Sequence, residues 1–431
     1  GEFISHKAFG SLNSETIEEL VLLENGDIAF LGYSNSYTPT GDLNLFYGVM
    51  SANLDIIWSK QTTSTGSETA KDLIETSDQH LLIVGSGDGY GDDGSKDLFM
   101  IKSTIEGELV WSKALGLTDH EAPSSCTEDN EGNIYVYGHC SSEFTQQYDL
   151  LLVQLTQDGD VNWSKTFAGI NNEIAYSSIP HPHEGILICG ATNSFGAGLK
   201  DSFVMHIDSA GEVLWNNTYG TNLNDYGTAM DQHENESFIV GGVTGGFGGG
   251  GLDMFSMLID MQGVLKYGQA YGGPIKETCY DALSCSDGGA AFVGYSRSYG
   301  EGFNSGFITK LDVHGSSGCA QEYATNMETL AIEFDETIVD LELKTETIDV
   351  APFELTEVVT AYVHSALVCE VNYITEEQSS RHTQESSDQF GEELPALEEV
   401  DFESKLALYP NPTQGNAWLE ISTDKDDRLE L

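Results

Sequence analysis

Positive charge is what this 431-residue chain has least of: 17 Lys and Arg stand against 70 Asp and Glu, a formal net charge of −53. Such a surface repels phosphate backbones, which excludes nucleic acid as a partner. It also predicts a fold stabilised by salt and by divalent cations, Ca²⁺ above all, since self-repulsion of that size is screened only by ions. Long apolar runs are missing. No stretch approaches the ~18 consecutive apolar residues of a membrane-spanning helix, so no such span is expected. Nor does any segment carry a 3.6-residue apolar stripe. The motifs of common enzymes are absent as well: there is no His-Glu-x-x-His, Gly-x-Ser-x-Gly, Walker loop or Cys-x-x-Cys. Glycines 245–251 resemble a phosphate cradle, but no helical pattern follows to supply the anion-binding N-terminus. What is present is 39% hydrophobic and 10% aromatic residues, enough for a packed core. Gly1 rather than Met opens the sequence, so an export leader is expected to lie outside it.

Repeats organise the chain. Trp58, Trp111, Trp163 and Trp215 are spaced by 53, 52 and 52 residues, and further steps of 52 reach Tyr267 and Cys319. A second column, Asn44, Asp97, Asp149, Asp201, Asp253 and Ser305, runs 14 residues ahead of the first. A third reads Gly32, Gly85, Gly138, Gly190, Gly241 and Gly294. Each unit contains four short β-branched and aromatic runs punctuated by Gly, Asp and Asn, as in Ala70–Ile74, Leu81–Gly85, Asp97–Lys102 and Leu109–Lys113. Four strands in about 50 residues, six times over, predict an all-β fold, a β-propeller of six blades. Residues 5–10 match the fourth strand of a unit, so a partner is expected beyond the sixth repeat. Residues 320–372 offer three strand-like runs that would then complete a seventh blade and remove exposed edges. The domains read as a propeller over 1–372, an acidic linker over 373–403 with ten acidic residues and one arginine, and a third segment over 404–431.

That third segment carries Tyr409-Pro410-Asn411-Pro412-Thr413 and Gly415, followed by Ala417-Trp418-Leu419-Glu420-Ile421. It resembles the opening of the C-terminal sorting domain of type IX secretion substrates. The repeats, with units such as Thr192-Asn193-Ser194-Phe195-Gly196 ahead of Asp201, resemble those of secreted Bacteroidota propeller proteins. The resemblance implies export by the type IX machinery to the cell surface or the medium. It does not imply an activity, because such repeats serve adhesins and enzymes alike.

Candidate sites follow from the columns. The innermost strand of each unit carries Glu19, Asp72, Ser124, Ser177, Thr228 or Asp281, a ring of carboxylates and hydroxyls for a cation or small polar ligand, or for blade-to-blade hydrogen bonds. The loop Gly87–Gly94 offers Asp88, Asp92 and Asp93, with Asp97 beyond it, as a calcium site. The Asp column otherwise reads as turn-forming side chains, since one carboxylate per blade is too few for an ion. The aromatics Tyr37, Tyr90, Phe195, Phe247 and Tyr299 are expected to plug their own loops, and the tryptophans to pack between blades. Seven cysteines fit a secreted protein with one thiol left over. Cys319–Cys369 is the preferred disulfide, Cys126–Cys140 and Cys279–Cys285 are further pairings, and Cys189 is expected free in the core. The functional expectation is a non-catalytic binding or structural module, an adhesin or assembly subunit, with surface polysaccharide, protein or a second copy as partner. The alternative is a polysaccharide hydrolase or lyase on the same scaffold.

Overall fold

A computed structural model describes residues 8–358, apart from 11–13, 37–40, 64–65, 91–94, 118–119, 142–146, 235, 300–303, 319–321, 325–326, 339–341, 346–347, 349 and 353–355, together with Lys405–Tyr409 and Trp418–Ser422. Six blades form a β-propeller in which every sheet is antiparallel, with no helix among the described residues. Blade 2 shows the pattern: strands a to d are Glu68–Glu75, His80–Gly87, Asp97–Thr104 and Leu109–Gly116. Blades 1, 3, 4 and 5 repeat it over 15–62, 121–168, 173–220 and 225–271, and blade 6 contributes strands a to c over 281–311. Strands a of successive blades touch from blade 1 through blade 6, which makes them the innermost. Strands b and c are buried on both faces, which is why Leu81-Leu82-Ile83-Val84 reads as a continuous apolar run rather than an alternation.

The glycine column has a steric cause. A Cβ on Gly85 would meet the Thr69 carbonyl and the Phe99 ring, and Gly32 and Gly190 stand against a strand-a carbonyl and Phe46 or Phe203 in the same way. In blade 5 the equivalent position is Gly242, facing Tyr226 O and Phe255, one residue after the Gly241 of the sequence column. The strand-a carbonyl intrudes because blades 1 to 5 each carry a β-bulge in strand a at this level.

Blades are clamped to one another by the tryptophans. Trp58 Nε1 donates to Ile105 O at 2.8 Å, Trp111 to Gln157 O at 2.9 Å, Trp163 to Ser209 O at 3.2 Å and Trp215 to Met261 O at 3.1 Å, each acceptor lying in the c–d turn of the next blade. Each indole lies over the turn's glycine, Gly107, Gly159, Gly211 or Gly263, all in the left-handed region with φ between 73° and 88°. Lys113 and Lys165 donate to Gly159 O and Gly211 O, both at 2.7 Å, and so cap the same turns. The expected packing role of the Trp column is what the structure has.

The described part of residues 320–372 does not build a seventh blade. The described part runs back around the propeller and lays one short strand on the outer edge of each strand d in turn. Glu322–Ala324 pairs with blade 5, Glu328–Ala331 with blade 4, Asp335–Ile338 with blade 3, Glu342–Thr345 with blade 2 and Val350–Pro352 with blade 1. Thr356–Val358 then pairs with Ala8–Gly10, the lone N-terminal strand whose sequence matches strand d. The partner expected for that strand beyond the sixth repeat is therefore found. The belt advances about seven residues per blade, too few for a four-stranded sheet and enough to saturate an edge that would otherwise stand open. Its apolar residues plug the grooves: Met327 joins the core between blades 4 and 5, Phe334 meets Phe167, Phe195 and Phe203, and Ile348 is buried between blades 1 and 2.

Two proposed disulfides are corrected. Cys126 pairs with Val136 and Cys140 with Glu121 in the same hairpin, so about 15 Å of strand separates them, beyond the reach of a bridge. Cys279 and Cys285 lie six residues apart along an extended segment and are both free. Cys189 is free and buried, as expected. Cys319 and Cys369 lie outside the described residues. Residues 5–362 form one compact body. In the other, Lys405–Tyr409 and Trp418–Ser422 make an antiparallel hairpin.

Replacing Phe334 with Ala should cost about 3 kcal/mol in denaturant unfolding and raise hydrogen exchange in strands d of blades 3 and 4 while strands b stay protected. Unchanged exchange there would show that the belt does not hold those edges. Gly211→Ala should cost about 1–2 kcal/mol, because an L residue at φ 82° is strained and its Cβ would meet the Trp163 ring at 3.0 Å.

Candidate functional site

Strand pairing moves two members of the axial column. By strand pairing, the residues at one level of the six inner strands are Glu19, Asp72, Ser125, Ser177, Ala229 and Asp281. Ser124 and Thr228 sit one residue earlier, in the bulges, because a bulge places two residues where sequence spacing counts one. The three carboxylates thus come from blades 6, 1 and 2, and the hydroxyls from blades 3 and 4.

Asp72 is occupied structurally. Its Oδ2 accepts hydrogen bonds from Ser125 Oγ and, at 2.9 Å, from Cys126 N of blade 3, while Oδ1 accepts Leu73 N at 2.8 Å. Thr228 Oγ1 likewise reaches across to Cys279 O of blade 6 at 3.0 Å. Glu19 is different: its donor among the described residues is the Leu20 amide beside it, at 3.3 Å. Burial, and after it the Asp72 carboxylate with a smaller push from Asp281, raises the Glu19 carboxyl to about 7. Exposed aromatics share these inner strands: Tyr176 is 37% exposed in the blade 4 bulge, and Tyr280 is 67% exposed beside Asp281 with its ring 5.9 Å from Tyr295. The inner strands thus carry acids on blades 6, 1 and 2 and exposed aromatics on blade 4 and, beside Asp281, on blade 6.

The calcium loop is not assembled from its described residues. Asp92 and Asp93 lie outside them, Asp88 Oδ1 accepts Ser67 N at 2.7 Å, and Asp97 is buried at the head of strand c. No group of three or more His, Cys, Asp or Glu side chains fit to hold a metal occurs among the described residues. Two of the Asp column do what a turn former does: Asp201 Oδ2 accepts Gly198 N at 3.0 Å and Asp253 Oδ2 accepts Gly250 N at 3.3 Å, closing the b–c loops. The loop aromatics are tucked in as expected, Tyr90 donating to Glu68 Oε1, Phe195 against Phe334 and Tyr299 stacked on Phe307; Tyr37 lies outside the described residues.

Two features escaped the columns. One is the belt, whose signal was the apolar step of seven from Met327 to Phe334, Leu341, Ile348, Leu355 and Tyr362. The other is a second acidic column, Glu15, Glu68, Glu121, Glu173, Asp225 and Glu277, advancing by 53, 53, 52, 52 and 52 residues.

No family model matches the chain, and no curated protein does. Among solved structures it is similar to a puromycin hydrolase S511A mutant complexed with PGG, at TM-score 0.39 and 12% identity over 75% of this chain and 54% of that one. It is also similar to a GH43 β-xylosidase/α-arabinofuranosidase from a compost microbial metagenome, at TM-score 0.29 and 11% identity over 59% of this chain and 93% of that one. At these values nothing of either protein's chemistry transfers.

Because the folded-state pKa of Glu19 lies above the usual carboxylate value, its protonated form favours folding, and that contribution is lost as pH rises through about 7. Stability should therefore fall between about pH 4.5 and 7, and Glu19→Gln should flatten that part of the Tm–pH curve and stabilise the protein at pH 8. An identical curve for the variant would remove the assignment.

Proposed function

We propose that the protein is a secreted or cell-surface binding module, an adhesin or a subunit of an extracellular assembly, whose inner propeller surface takes polysaccharide. The observation that carries this reading is the pairing of exposed Tyr176 and Tyr280 with Glu19 and Asp281 on the innermost strands. Aromatic faces stack on the C–H faces of sugars and carboxylates accept hydrogen bonds from their hydroxyls. Full occupation of Asp72 by Ser125, Cys126 and Leu73 favours binding over catalysis, since a nucleophile or proton carrier needs a free oxygen. The raised Glu19 carboxyl beside two others supports the rival reading, a hydrolase or lyase of polysaccharide. Export through the type IX machinery belongs to the same proposal and rests on Tyr409 to Gly415.

The test is a panel of neutral and acidic polysaccharides titrated against the full chain. Binding without release of sugar ends, weakened at least tenfold by Tyr280→Ala or Tyr176→Ala, supports the binding module. Release of products that stops with Asp72→Asn or Asp281→Asn overturns it in favour of the enzyme. Discrete oligomers in light scattering, with no polysaccharide bound, would make self-assembly the function instead.

A further inference from the structure

The strand-c acids do not stand alone. Twenty-four residues after Asn44, Asp97, Asp149, Asp201 and Asp253 come Glu68, Glu121, Glu173, Asp225 and Glu277, at the head of the next blade's innermost segment, and all five are fully buried. The two sets converge over the glycine that follows strand d's last turn. Asp97 Oδ1 and Glu121 Oε2 both lie within 3.0 Å of where a Cβ on Gly116 would stand, and Asp253 Oδ1 and Glu277 Oε2 within 2.5 Å of that place on Gly272. Gly220 bears on Asp201 Oδ1 in the same way. Only a residue without Cβ leaves room for two carboxylates there.

At the blade 4–5 and 5–6 junctions some carboxylate oxygens are served and others are not: both oxygens of Glu277 have donors, while one oxygen each of Asp201, Asp225 and Asp253 has none among the described residues. Asp225 Oδ2 accepts Thr221 N at 2.7 Å and Thr221 Oγ1 at 2.8 Å, and Glu277 accepts Gly273 N at 2.8 Å and Ser296 Oγ at 2.6 Å. Asp201 Oδ1, Asp225 Oδ1 and Asp253 Oδ1 are buried with no hydrogen-bond partner among the described residues. No Lys or Arg ion pair among the described residues includes these side chains; the available lysines serve Asp78, Asp160, Glu212, Asp260 and Asp287. A buried carboxylate oxygen without donor or cation is costly, and two facing each other are more so.

We propose that these junctions are calcium sites, one ion between Asp201 and Asp225 and one between Asp253 and Glu277. The objection from sequence, one carboxylate per blade, disappears because the neighbouring blade supplies the second. Clustered oxygens without a nitrogen or sulfur donor suit a hard cation, and backbone carbonyls and water complete the six to eight oxygens calcium takes. A divalent ion neutralises both charges of a pair, where a shared proton neutralises one. Burial, with the partner carboxylate adding to it, pushes Asp201 and Asp253 up to about 6, the direction that buried carboxyls short of a cation take. Asp97–Glu121 and Asp149–Glu173 repeat the residue types, while Asn44–Glu68 has one charge fewer and is expected to bind most weakly. The ions would join strand c of one blade to the inner strand of the next.

The experiment titrates CaCl₂ into chelator-stripped full-length protein by calorimetry at ionic strength held with KCl, with Tm followed in parallel. Calcium should bind at two or more sites and raise Tm, with KCl of equal ionic strength far less effective. Asp201→Asn with Asp225→Asn should remove one site, and Asp253→Asn with Glu277→Gln another. If one variant fails to fold, the other and the wild-type titration still decide. Absence of binding heat with a Tm indifferent to calcium, or an unchanged stoichiometry in a folded variant, overturns the proposal.

Discussion

The propeller depends on the seating of a strand-d indole over the left-handed glycine in the next blade's c–d turn. That contact joins an apolar face, a hydrogen bond from Nε1 and a backbone conformation that only glycine adopts without strain, and it recurs at four blade-to-blade steps. It sets the 52-residue period, because indole, turn and intervening strands must return to the same relative position each time. At the fifth step Tyr267 lies over Gly315 instead, and Tyr271 donates to Gly315 O at 2.5 Å, so the clamp is rebuilt from two smaller parts.

Each clamp leaves the outer edge of strand d open, and an open edge is a template for unwanted pairing. The belt answers that in one pass. Its strands take only the last three or four residues of each strand d, past the tryptophan or tyrosine. The strongly acidic belt still adheres, because pairing is carried by backbone and by the plugs Met327, Phe334 and Ile348, with Ile348 N donating to Ser112 Oγ at 2.8 Å where it enters the groove.

Acidity works differently inside and outside this body. Lys102, 1% exposed, is paired with Asp78 and Gln157, and the few cations are spent on carboxylates at the surface and on turn carbonyls. Acids at the head of the inner strands instead receive loop amides four residues back, Leu117 N on Glu121, Gly169 N on Glu173, Thr221 N on Asp225 and Gly273 N on Glu277, which fixes each d–a connection. The same side chains thus shape loops and crowd the neighbouring blade's acid, in Glu121 and Glu277 with the same oxygen, Oε2.

The period of tryptophan, aspartate and glycine determined from sequence alone that the chain is a six-bladed all-β propeller, and that the loop aromatics and Cys189 belong to its core. Those properties are local or strictly periodic, so spacing reads them directly. Tertiary structure alone decided what lies outside that grammar. Bulges in the inner strands moved Ser124 and Thr228 off the axial level that counting had assigned. Residues 320–358 became a belt rather than a blade, because edge pairing depends on six strands already placed by the repeats. The facing of Asp201 with Asp225, and of Asp253 with Glu277, arises only when one blade packs on the next.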